Sequence, residues 1–149
     1  MGYIDNNLMS NEQVIYQGKI HWFIFVPGVF FLIISLMLME QNPAIGVVLF
    51  LLAIYSLVKA LIVKFFTELA VTSKRVIAKT GFIRRNTVEL NHSKVESFQV
   101  DQGIIGRILN FGTIIVCGTG TGKTPVPSID NPLDFRRYAM QAVDEGSSA

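Results

Sequence analysis

Apolar and polar positions are unevenly spread along this chain. From Trp22 to Met39 the run "WFIFVPGVFFLIISLMLM" has no charged residue. After the polar turn "EQNP", a second apolar run, "AIGVVLFLLAIYSLVKALIV", extends from Ala44 to Val63 with Lys59 as its one charge. As a helix the first run is about 27 Å long, close to the hydrocarbon thickness of a bilayer. The second is also long enough, because a lysine near a helix end can snorkel to the headgroups. The short connection Glu40 to Pro43 predicts an antiparallel hairpin that spans twice and leaves both termini on one side. Its turn has no lysine or arginine, whereas Lys19, Lys59, Lys64, Lys74 and Arg75 flank the other ends. The positive-inside rule then predicts a multi-pass protein of the cell inner membrane with cytoplasmic N- and C-termini. Trp22 is the expected interfacial anchor, with Phe65 and Phe66 at the far flank, and Pro27-Gly28 suggests a kink. A cleaved signal peptide is not expected, since Asp5 and Glu12 precede the run and no small-residue cleavage pattern follows it.

From Phe66 onward the texture changes to short segments between turn residues. "FTELAVT" suits a strand, and "KRVIAKTGF" with "IRRNTVEL" reads as two strands joined around Lys79-Thr80-Gly81, where Gly81 takes a positive φ. "KVESFQVDQ" is a further strand whose inward face the alternation leaves open. "GIIGRILN" predicts an irregular or single-turn helical connection, "FGTIIVCG" a buried strand, and "KTPVPSI" a last short strand. A helix follows, with Asn131 as N-cap, Pro132 at its first position and Asp134 in its first turn. Phe135, Tyr138, Ala139, Ala142 and Val143 form one apolar stripe on it, and "DEGSSA" reads as a frayed end. The expected organisation is an N-terminal cytoplasmic segment (1–21), a transmembrane hairpin (22–66) and an α+β cytoplasmic domain (67–149). Six short strands and a terminal helix suggest a small sheet pair or an open barrel closed at one end.

Composition sharpens this picture at a few points. The chain has 149 residues, half of them hydrophobic, and the apolar excess is confined to the two runs. A net charge of +2 without a clustered basic face argues against nucleic acid as a partner. Cys117 is the sole cysteine, so no internal disulfide can form, and it reads as a small buried hydrophobe.

"CGTGTGKTPV", residues 117–126, superficially resembles a phosphate-binding loop. The P-loop spacing would require glycine where Cys117 stands, and Pro125 and Pro127 obstruct the helix that should follow. A tight hairpin turn is expected instead, with no nucleotide. His21 and His92 lack companions at metal-ligand spacing, and "NHS" at Asn91 is read as a chance glycosylation pattern. No nucleophile has an evident base, so neither a catalytic residue nor a cofactor is expected, and the chain reads as a non-enzyme.

The ordered set "HSKVESFQVDQGIIGRILNFGTIIVCGTG" and "SIDNPLDFRR" resembles the bacterial pleckstrin-homology-like domain of YdbS-like membrane proteins. Lys94, Val95, Ser97, Val100, Gln102, Gly103, Gly106 and Arg107 carry the first part of that likeness. Gly112, Thr113, Gly118, Thr119, Gly120, Asn131, Pro132 and Phe135 carry the second. The resemblance implies an antiparallel pleckstrin-homology-like β-barrel capped by a C-terminal helix, placed after the membrane hairpin. Such a protein is expected to be a membrane-anchored binding or scaffold module, with a protein partner or its own copies besides the bilayer. Lys59, Lys64, Lys74, Arg75, Arg84 and Arg85 are the candidate contacts to anionic lipid or to an interface. The alternative is a small accessory subunit of a membrane transport or export system.

Overall fold

The computed structural model describes residues 2–120 and 122–148. The chain divides into two compact units, one made of residues 1–21 and 66–149, the other of residues 22–65. Residues 1–21, treated as a segment of their own in the sequence reading, thus share a unit with the C-terminal part.

In the first unit, α1 (Tyr3–Asn6) and β1 (Val14–Gly18) precede β2 (Glu68–Thr72), β3 (Arg75–Thr80) and β4 (Asn86–Asn91). These four strands form an antiparallel meander in the order β1-β2-β3-β4. A 3-10 turn, His92–Lys94, leads to β5 (Val95–Asp101), α4 (Ile104–Leu109), β6 (Phe111–Gly118) and β7 (Gly122–Asp130). The last three strands form a second antiparallel sheet, and α5 (Pro132–Ser147) ends the fold. Leu69, Val71, Val76 and Leu90 from the first sheet meet Phe98, Ile114, Val116, Val126 and Ile129 from the second. Phe135, Ala139, Ala142 and Val143 of α5 complete this core, which is the predicted stripe, while Tyr138 stays partly exposed.

The strands do not close into the barrel that the resemblance implies. Among the described residues the sheets are linked only by the isolated bridge Ile20–Ile129, and the turn at His92–Lys94 separates their ladders. The first sheet is instead covered on its outer face. Ile4, with Tyr3 and Leu8 beside it, packs on Ala70 and Ile77. This explains why β2 and β3 are almost wholly buried rather than alternating. Glu68 fastens α1 there by accepting hydrogen bonds from the Tyr3 and Ile4 amides at 2.9 and 3.1 Å.

Three one-residue irregularities explain the pattern that alternation leaves open. In β5 the register slips between Val95 and Ser97, so Val95 and Phe98, at odd spacing, both reach the core. A second slip falls in β1 between Val14 and Tyr16. The third lies opposite Gly112–Ile114, where Ile129 and Val126 are the successive partners in β7. There Ser128 has φ 59°, and Pro127 fits because a bulge on an edge strand leaves its missing N–H unneeded.

Helix α5 departs from its expected ends. Asn131 lies at the N-cap but in the left-handed region, and its side chain does not cap; its Oδ1 instead accepts a hydrogen bond from Asn110 Nδ2. At the other end the helix continues through Ser147 rather than fraying at Asp144. Gly146 permits this, since a Cβ there would lie 2.5 Å from the His92 ring. Ala149, the last residue of the expected frayed end, lies outside the described residues.

The second unit is a helical hairpin. A 3-10 turn, Trp22–Phe25, runs into α2 (Val26–Met39), and α3 spans Pro43–Phe66. Pro27 therefore marks the change of helix type near the start of α2 rather than a kink within it. Trp22–Met39 and Pro43–Phe66 are both long and apolar enough to cross a membrane, each with a mean hydropathy of 2.5. The Ser35 hydroxyl donates to the Gly46 carbonyl at 3.0 Å, and Gly28 lies against Leu57, where a Cβ would come within 2.6 Å. Small residues at such contacts let apolar helices approach closely.

Candidate binding site

Arg75 was expected among the cations that contact anionic lipid or an interface, whereas the structure buries it within the fold. Arg75 opens β3. Nε donates to Glu12 Oε1 at 2.9 Å, and Nη1 to Glu89 Oε2 at 2.6 Å. Nη2 serves the Asn7 carbonyl at 2.7 Å and Glu12 Oε2 at 3.0 Å. The guanidinium is thereby a clamp between the N-terminal segment and the sheet. Burial pushes the Glu12 carboxyl up, but the Met9 amide, the Thr72 hydroxyl and Arg75 outweigh it and hold the group below its ordinary value. The Glu12 hydrogen bond, against the opposing effect of burial, raises Arg75 above the usual arginine range.

The other candidate cations are exposed but fall in separate places. Lys59 and Lys64 lie on α3, where the Lys64 ammonium sits 5.5 Å from the Phe25 ring centroid. Lys74 donates to the Ser10 carbonyl at 2.8 Å. Arg84 and Arg85 occupy the β3–β4 turn rather than the strand expected over "IRRNTVEL", because β4 begins only at Asn86. Gly81 makes that turn with φ 91°, as expected; a Cβ there would lie 2.3 Å from the Arg84 carbonyl oxygen. Trp22 is exposed at the start of the hairpin.

The glycine-threonine run is a hairpin turn. Gly118 pairs with Gly122, both Gly120 and Gly122 have positive φ, and the chain continues as β7 instead of a helix. Thr121, within this run, lies outside the described residues. His21 stacks on Phe111 at 5.0 Å and comes within 3.9 Å of Asp130. The His92 ring nitrogen Nε2 lies 2.9 Å from the Thr72 carbonyl.

A groove of about 390 Å³ is lined by Ile15, Tyr16, Gln17 and Lys19 on one side and Asp130 and Asn131 on the other. It lies along β1, which among the described residues is the edge strand of its sheet, up to the point where Ile20 bridges to Ile129. Tyr16, one of its lining residues, is edge-on to Phe135 at 5.7 Å and stacked on Tyr138 at 4.9 Å. Burial, then the nearby Asp134, Tyr138 and Asp130, raises the Tyr16 hydroxyl above the ordinary phenol value, so it stays a neutral donor. Ile15, Leu133 and Tyr138 supply exposed apolar surface nearby. An open strand edge beside apolar side chains is suited to an added strand or an extended peptide. Sequence reading missed this place because its walls come from opposite ends of the chain.

One family, described as the bacterial PH domain, matches residues 23–143. No curated protein and no solved structure matches the chain.

Proposed function

Since the chain belongs to the bacterial PH domain family, which suggests a binding or scaffold module, we propose that it is a membrane-anchored one. In this reading the hairpin of α2 and α3 spans the cell membrane of a YdbS-like protein. The PH-like unit holds a partner protein, or another copy of the chain, at the cytoplasmic face without catalysing a reaction. The observation that carries the reading is where the hairpin is inserted. It leaves the sheet after β1 and returns at β2, and these two strands pair, Gly18 opposite Leu69. An anchor placed there ties the binding unit to the bilayer by two covalent strands instead of one flexible tether. The groove beside β1 adjoins that attachment and offers the partner a free strand edge.

A photocrosslinking residue in place of Ile15, in the full chain in cells, tests this reading. We expect an adduct that is lost with Tyr138→Asp and is absent when the crosslinker replaces Lys123 instead. An adduct of twice the chain mass would identify self-association. Crosslinking that ignores Tyr138→Asp, or occurs equally at Lys123, would refute the groove as the binding site.

A further inference from the structure

The PH-like unit exposes two apolar clusters, and each touches one of the two points at which the chain leaves for the hairpin. The first is the β3–β4 turn. Ile83 at its tip is 96% exposed, and its neighbour Phe82 packs its ring on Phe66 at 4.5 Å. Phe66 is the residue at which α3 ends. Strand topology requires this proximity. In an antiparallel meander alternate connections share an end, so the β3–β4 turn lies at the end of the sheet where β1 stops and β2 begins. The register agrees, with Gly18, Leu69, Ala78 and Val88 side by side across the four strands.

The second cluster is α4. Ile104 is 81% and Ile108 76% exposed, with Ile105 beside them. Helix α4 runs directly into Phe111, whose ring stacks on His21, the last residue before the first apolar helix. The backbone fixes the same neighbourhood: the His21 amide donates to the Ser128 carbonyl and the Asp130 amide to the Lys19 carbonyl, both at 2.8 Å.

Each cluster also carries exposed positive charge, Arg84 and Arg85 in the turn and Arg107 in α4. Clustered isoleucines this exposed beside arginines are costly in water and suit the boundary between acyl chains and anionic headgroups. We propose that the β3–β4 turn and α4 are membrane-interface elements of the PH-like unit. Ile83, Ile104 and Ile108 enter the acyl boundary while Arg84, Arg85 and Arg107 meet anionic headgroups. The domain is thereby held face-on to the bilayer rather than free beneath it. This inference rests on the reading of the hairpin as membrane-spanning.

The test uses the full chain, with Cys117→Ser, reconstituted in vesicles of phosphatidylcholine and phosphatidylglycerol. Single spin labels are placed by Ile83→Cys, Ile108→Cys, Lys123→Cys and Ile33→Cys, the last within α2. Collision with oxygen and with a water-soluble nickel chelate reports depth. We expect the oxygen-to-nickel ratio at 83 and 108 to exceed that at 123 several-fold, and to fall when Arg84, Arg85 and Arg107 become Gln. Labels at 83 and 108 as wet as 123, with 33 dry, would overturn the inference and leave the hairpin reading intact. Labels at 83 and 108 screened from both reagents would overturn it in favour of a protein contact. A wet label at 33 would refute the spanning hairpin itself, and the inference with it.

Discussion

The Glu12 carboxylate and the Arg75 guanidinium are both cut off from water, with side-chain exposures of 0% and 7%. Removing one partner of a buried pair costs about 3–5 kcal/mol when the other charge is left without a counter-ion; here Arg75 keeps Glu89 at 2.6 Å, which places the loss at the low end of that range. Glu12→Gln in the full chain in detergent is therefore expected to lower the unfolding free energy of the PH-like unit by roughly 3 kcal/mol near neutral pH. The pH profile supplies a second readout. The Glu12 carboxyl is held below its ordinary value of 4.5 in the fold, so its contribution is complete above that value. It is lost as pH falls through the folded value. Denaturant melts from pH 7 downward should show the parent losing stability below about pH 4.5, and the Gln variant losing less over the same window. Equal slopes for both would show that Glu12 is not the linked group.

Elements differ in how much tolerance their contacts allow. Within the hairpin, a Cβ at Gly46 would lie 2.7 Å from Met39 Cα, which is backbone and cannot step aside. At Gly28 the nearest obstacle is the Leu57 side chain, which can turn, while the Leu57 backbone nitrogen lies farther off at 3.2 Å. Losing the Ser35 hydrogen bond should cost about 0.6 kcal/mol, a usual value between helices in a membrane. Unfolding in mixed micelles is expected to rank Gly46→Ala as most damaging, then Gly28→Ala, then Ser35→Ala. A Gly46 variant as stable as the parent would show that the two helices do not pack this way.

At the scale of the molecule, the hairpin interrupts one folding unit rather than joining two. A fragment of residues 67–149 lacks β1 and loses the Glu12 partner of Arg75. It also uncovers Ala70 and Ile77, over which Ile4 packs. It is expected to aggregate or to give a poorly dispersed NMR spectrum. Joining residues 1–20 to 67–149 through a short Gly-Ser linker in place of the hairpin should restore dispersion, because Gly18 and Leu69 are already paired neighbours. A well-dispersed spectrum from 67–149 alone would show that β1 and α1 are accessory.

Much of this architecture was legible because it rests on local physics. Two long apolar runs read as span-length helices from rise per residue alone. Glycine at a positive φ marked the β3–β4 turn, and β-branched runs marked β2, β3 and β6. Pro132 and the apolar stripe located α5, and the spacing at Cys117 already separated the glycine turn from a phosphate loop. Tertiary structure decided whatever depends on partners distant in sequence. It turned Arg75 from a surface cation into a buried clamp and recruited the N-terminal segment as a strand. It also resolved the face of β5 through a bulge that strict alternation hides, and kept the two sheets from closing. The groove at β1, and the exposed isoleucines beside both exits of the hairpin, exist only because pairing brings together segments that the hairpin separates. Local periodicity carries no record of such pairing, because which surface each segment finds is settled by packing across the whole unit.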